Sequence, residues 1–116
     1  MQYMLLIYST EGSMGSMTDD ERSAFMGEYY AYTEGLRAAG AFVAGDGLQP
    51  TATGTSVRVR DGKRLVTDGP FAETKEQLGG YYLVEAASLD EALDWAAKIP
   101  SARFGTVEVR PVMVYG

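Results

Sequence analysis

Apolar and polar positions recur along the chain in two similar halves, each reading strand, helix, strand. The opening run Met1-Gln2-Tyr3-Met4-Leu5-Leu6-Ile7-Tyr8 is apolar over far fewer than the ~20 residues that cross a bilayer, and it has no charged n-region. It predicts a first strand. A loop rich in Gly and Ser follows, Ser9 to Met17, and then Thr18-Asp19-Asp20-Glu21, a capping box whose Thr and Glu satisfy each other's free backbone donors and start a helix. Phe25, Tyr29, Tyr32 or Thr33, and Leu36 succeed one another at helical spacing, giving one apolar face that ends at Gly40. Ala41-Phe42-Val43-Ala44 opens a second strand.

The second half repeats the order. Gly80-Tyr81-Tyr82-Leu83-Val84-Glu85 predicts a third main strand, and Ser88-Leu89-Asp90-Glu91 a second capping box. Leu89, Ala92 or Leu93, Ala96 and Ile99 share a helical face, with Pro100 ending the helix and Val107-Glu108-Val109-Arg110 closing the set as a strand. Between the halves, Val57-Arg58-Val59-Arg60 and Lys63-Arg64-Leu65-Val66 flank Asp61-Gly62, a strong two-residue hairpin signal. The whole reads β-α-β, hairpin, β-α-β, an α+β chain of the ferredoxin-like class with an antiparallel sheet and two helices on one face. The other sheet face then needs a cover, and in a chain this short a second copy is the expected source, which predicts a homodimer.

Composition narrows the chemistry. With 116 residues, 46% of them hydrophobic, the chain has room for one domain, 1–116, with a real core. A net charge of -6 and a pI of about 4.5 argue against nucleic acid, because phosphate binding rests on clustered Lys and Arg. The tightest basic group, Arg58, Arg60, Lys63 and Arg64, flanks the hairpin turn and reads first as solvated charge and second as a phosphate site. Neither Cys nor His occurs. That excludes thiol nucleophiles, disulfides, imidazole bases and Cys or His metal sites, so any metal would need an all-oxygen site suited to Mg or Ca. No metal and no cofactor is expected, any acid or base must be Asp, Glu, Lys or Tyr, and the expected location is the cytoplasm, away from membranes.

The most informative segment is Val66-Thr67-Asp68-Gly69-Pro70-Phe71-Ala72-Glu73-Thr74-Lys75-Glu76-Gln77-Leu78-Gly79-Gly80-Tyr81. It resembles the signature of the DGPF-type branch of the YCII-related proteins. Tyr3 to Tyr8, Leu36-Arg37-Ala38-Ala39-Gly40, Gly47-Leu48-Gln49-Pro50 and Val107 to Val112 are similar to that family's other landmarks, so the resemblance spans essentially the whole chain. It implies a dimeric α+β barrel, in which two ferredoxin-like sheets face each other around a cleft. It also implies a link to circuits of extracytoplasmic-function sigma factors, beside which such proteins are often encoded. The founding branch places a proposed catalytic His on the first helix and an Asp before the proline after the second. With Gly40 and Pro100 as anchors, the matching positions here are Tyr29 and Ile99, so the dyad is absent.

Asp68 is the leading catalytic candidate. Pro70 stiffens the turn behind it, with Phe71 expected as an apolar anchor, and the carboxylate either faces a cleft and moves protons or accepts backbone N–H groups and holds its own turn. Tyr29 either donates to a ligand oxygen or packs in the core. Glu73 and Lys75, with Glu76, either clamp a polar substrate or form a solvated loop. Arg110 points opposite to the neighbouring valines, pairs with Asp68 or Glu108, and either grips a ligand carboxylate or faces solvent. Eight tyrosines suit a cleft for an aromatic or quinone-like ligand, and equally suit a dimer interface. Gly79-Gly80 lacks the Lys and Ser or Thr of a phosphate loop and reads as a bend or bulge. Two functional classes remain: a dimer that binds or converts a small organic ligand, and a non-enzymatic accessory protein tied to a sigma-factor circuit.

Overall fold

Tyr3, Leu5 and Ile7 alternate with Met4, Leu6 and Tyr8 along the first strand, and only the first set is buried. A period of two with one buried face requires a sheet covered on one side. The computed structural model, which describes residues 1–12 and 15–115, supplies it. Strand β1 (Gln2–Ser9) leads through a loop, whose Ser13 and Met14 lie outside the described residues, to helix α1 (Asp19–Ala38) and strand β2 (Phe42–Gly47). A hairpin of β3 (Thr55–Arg60) and β4 (Lys63–Asp68) comes next, and then β5 (Gln77–Glu85), α2 (Leu89–Ala97) and β6 (Thr106–Pro111).

The sheet order is β2-β5-β1-β6, antiparallel throughout, with both helices on one face; this mixed α+β arrangement is consistent with the ferredoxin-like class. Tyr32 and Leu36 of α1, Ala92 and Ala96 of α2 and Ile99 form one buried cluster with Tyr3, Leu5, Tyr82 and Val84, while Phe25 of α1 packs against Tyr29 and Phe104. The hairpin forms a separate two-stranded sheet. Among the described residues no helix is long and apolar enough to cross a membrane.

Local signals act where they were read. Thr18 Oγ1 accepts from the Glu21 N–H at 3.1 Å and Glu21 returns a carboxylate to the Thr18 N–H at 3.1 Å, so the first capping box is closed. The second is closed one residue early: Ser88 caps Glu91, but the Glu91 carboxylate accepts from Ala87 at 3.0 Å. Leu89 and Leu93, expected on the buried face of α2, are exposed, because Ala92 and Ala96 fill the space against the sheet. Asp61 and Gly62 both take positive φ, 51° and 74°, the turn that matches strand twist. The register shifts between Ile7 and Tyr8, leaving Gly79 unpaired as the expected bulge.

Candidate functional site

The uncovered face of the four-stranded sheet follows from the register. Residues opposite one another in an antiparallel pair share a face, so Met4, Leu6 and Tyr8 of β1 lie beside Leu83, Tyr81 and Leu78 of β5. Arg110, Glu108 and Thr106 line the β6 side, and Ala44 and Asp46 the β2 side. The floor is thus half-buried and apolar between two polar margins.

On the β2 margin the Tyr81 hydroxyl donates to Asp46 Oδ2 at 3.0 Å, and this hydrogen bond to an anion raises the phenol's pKa above its ordinary value. Gly45 and Gly47 bracket Asp46. A Cβ on Gly45 would stand 2.7 Å from the Tyr82 ring, so glycine there lets β2 approach β5 closely enough for the Asp46–Tyr81 pair to form. On the β6 margin Arg110 Nε lies 2.6 Å from Glu108 Oε2, and Thr106 donates to Glu76 at 2.9 Å. Glu108 raises the Arg110 pKa further.

The residues singled out by sequence fall in different places. Arg110 lies on this open face, paired with Glu108. Tyr29 belongs to α1, on the other side of the sheet, its hydroxyl 2.6 Å from the Oγ of Ser101, the one buried polar residue among those described. Burial pushes the Tyr29 phenol up, and its edge packs on Phe25 at 5.4 Å between ring centres. Ile99 is fully buried. Asp68 is exposed at the end of β4, opposite Thr55. Its turn is held instead by the Gly69 N–H donating to the Gly54 carbonyl at 2.7 Å and by Ser56 Oγ donating to the Gly69 carbonyl at 3.0 Å. Phe71, expected as that turn's anchor, is 81% exposed, because no element of the same chain lies over it. Glu73 and Lys75 are exposed in the loop that follows, Glu73 on the rim of a depression of about 380 Å³ with Thr51, Pro70 and Gln77.

Sequence reasoning passed over Asp46 and its pairing with Tyr81. The available signal was an acidic residue between two glycines inside a strand, where glycine marks close backbone approach. Among the described residues no three carboxylates converge as a cation site would require.

The chain is similar to an uncharacterised protein of Rhizobium meliloti (strain 1021), 39% identical over 117 residues that cover 99% of this chain and 94% of the relative. In structure it is similar to a 5-chloro-2-hydroxyhydroquinone dehydrochlorinase from Burkholderia phenoliruptrix AC1100, solved in complex with 2,5-dihydroxybenzoquinone. That likeness has a TM-score of 0.57 at 17% identity, over 97% of this chain and 94% of that one, and it speaks to the fold alone. Residues 1–115 match the model of the YCII-related domain, and with a relative of that identity over nearly the full length, the chain belongs to the YCII-related family.

Proposed function

We propose that this protein is a homodimer of the dimeric α+β barrel type, of the DGPF branch, whose open sheet faces close on one another around a cleft for a small, flat, hydroxylated aromatic or quinone-like ligand. The observation that carries this reading is the uncovered sheet face itself: an apolar floor of Met4, Leu6, Tyr8, Tyr81 and Leu83 between polar margins. Such a face is costly in water at ~25 cal/mol per Å², and two of them together bury it while leaving a space between the margins. Tyrosine rings offer flat apolar area with a polar edge, which suits a ring bearing oxygens. The hydroxyquinone bound by the structural neighbour is a ligand of that class.

Within the cleft, Asp46 accepts from Tyr81 through one carboxylate oxygen and has the other to take a proton from a ligand hydroxyl. Tyr81 gives its one hydroxyl proton to Asp46 and offers its oxygen lone pairs to a ligand hydroxyl. Arg110 holds a ligand oxyanion by exchanging part of its pairing with Glu108. Asp68, at the root of the hairpin, takes part only through whatever the hairpin's face meets.

Calorimetric titration with 2,5-dihydroxybenzoquinone as the probe tests the reading. The wild type is expected to bind it, and Tyr81→Phe to bind about tenfold more weakly, the scale of one hydrogen bond to a charged group. A wild type that shows no binding, or a Tyr81→Phe protein with unchanged affinity, contradicts the assigned cleft.

A further inference from the structure

The hairpin has no covering layer in its own chain. Every residue of β3 and β4 except Ser56 is exposed, and neither strand pairs with the main sheet. A lone two-stranded hairpin is marginal in water. This one nevertheless has a firmly held root: besides the Gly54–Gly69 and Ser56–Gly69 bonds, the Glu11 carboxylate accepts from the Thr51 N–H at 2.6 Å and from its hydroxyl at 3.0 Å. The molecule is spread out accordingly, with a radius of gyration of 16.3 Å. A compact chain of this length would have ~13 Å.

Its two faces differ. The register puts Val57, Val66, Val59 and Arg64 on one face with Asp68 at the root, and Arg58, Leu65, Arg60 and Lys63 on the other. Val57, Val59 and Val66 are 60%, 64% and 54% exposed, a contiguous aliphatic strip with a guanidinium at its outer end. Charge is divided as sharply. Residues 55–68 hold four of the ten Lys and Arg but only two of the sixteen Asp and Glu, so the hairpin is formally +2 and the remainder of the chain -8. A basic arm with an apolar strip is complementary to an acidic body with an apolar sheet face, and both belong to this chain.

We propose that the hairpin is an arm that crosses to the second copy, valine face down, and that Arg64 supplies a cation to the partner's cleft beside Asp46. This rests on the dimeric cleft described above. A six-residue strand spans ~20 Å, more than the ~14 Å across four strands spaced ~4.8 Å apart, so the arm is long enough to overlie the sheet margin. Each sheet face then lacks one of its charged groups until the partner is present. Within one chain Arg110 is already committed to Glu108, whereas among the described residues Arg64 has no acidic partner.

Complementation between variants tests this. Arg64→Ala damages the arm and Tyr81→Phe the sheet face; both positions are open to solvent or half-open, and neither change removes core volume. Each variant alone is expected to bind 2,5-dihydroxybenzoquinone at least tenfold more weakly than the wild type. If arms act in trans, mixed dimers contain one site with an intact face and an intact arm, and the mixture regains wild-type-affinity sites that neither parent shows. A mixture that behaves as the sum of its parents, in a wild type that dimerises and binds the probe, overturns the arm alone. A wild type that stays monomeric overturns the arm together with the cleft. As an independent readout, Val57→Asp is expected to raise the dimer dissociation constant at least tenfold by sedimentation velocity, and an unchanged constant counts against the docking of the valine face.

Discussion

Tyr29 shows how one side chain can occupy a position of functional interest and serve the core. Its ring packs against Phe25, its hydroxyl satisfies the buried Ser101 at 2.6 Å, and its carbonyl accepts from Thr33, which in turn meets the Tyr82 hydroxyl at 2.7 Å. Tyr29→Phe is therefore expected to cost about 1 kcal/mol, since it strands the Ser101 hydroxyl. Burial raises the folded-state pKa of this phenol above its ordinary 10.0, so its contribution is complete below that pH and is lost as the pH rises through the raised value. Urea denaturation of both proteins checks this: the stability gap should be present at neutral pH and narrow in strong alkali. At the acid end, Arg103 holds the Glu28 carboxyl below its ordinary 4.5 through hydrogen bonds of 2.7 and 3.1 Å. Glu28 thus stabilises the fold above that pH and ceases to as acid protonates it. Melting curves of wild type and Glu28→Gln should accordingly converge as the pH is lowered through that region, and a gap that persists or widens there would refute the assignment.

At the level of elements, what the sequence made legible is what neighbouring residues decide among themselves. Thr18 and Glu21 are three apart, Asp61 and Gly62 adjacent, and Gly79 announces its bulge by having no side chain; each acts before tertiary structure exists. Asp46 and Tyr81 are 35 residues apart and meet only because a bulge at Val43 and a close approach at Gly45 set β2 against β5. No local pattern encodes that. Leu89 and Leu93 misled the reading of α2 because leucine and alanine alternate on adjoining faces, and periodicity alone does not say which face is covered. Phe71 likewise looked like an anchor because a proline precedes it, yet an anchor needs an element above it. One glycine offers a sharp test of the sheet's edge. A Cβ on Gly105 would stand 2.2 Å from the Tyr8 carbonyl oxygen, at the turn into β6, and backbone cannot yield as a side chain can. Gly105→Ala should therefore destabilise the fold by at least ~2 kcal/mol in chemical denaturation, and a loss under half that would mean β6 is not held so tightly against β1.

At the scale of the molecule, the chain is a two-layer body only 19 Å through its thinnest dimension, one sheet face sealed by helices and the other bare. The bare face, the hairpin's valine strip and Phe71 are three apolar surfaces that a single copy leaves in water, and Met113, Val114 and Tyr115 extend them past β6. Patches of this kind mark interfaces. In the proposed dimer a second copy would meet them all at once, with the polar margins at Asp46–Tyr81 and Glu108–Arg110 bordering the space between the two faces. Tyr29 and Ile99 lie on the helix-covered side of the sheet, across from the open face that carries Asp46, Tyr81 and Arg110.

The most direct measurement is sedimentation equilibrium of the wild type beside Leu6→Asp, which places a charge at the centre of the open face without touching the helix-covered core. A wild-type species at twice 12.6 kDa and a folded Leu6→Asp monomer at 12.6 kDa are expected. A wild type that remains at 12.6 kDa at micromolar concentrations, or a Leu6→Asp protein that dimerises as well as the parent, would contradict the claim that this face is where the second copy and the ligand meet.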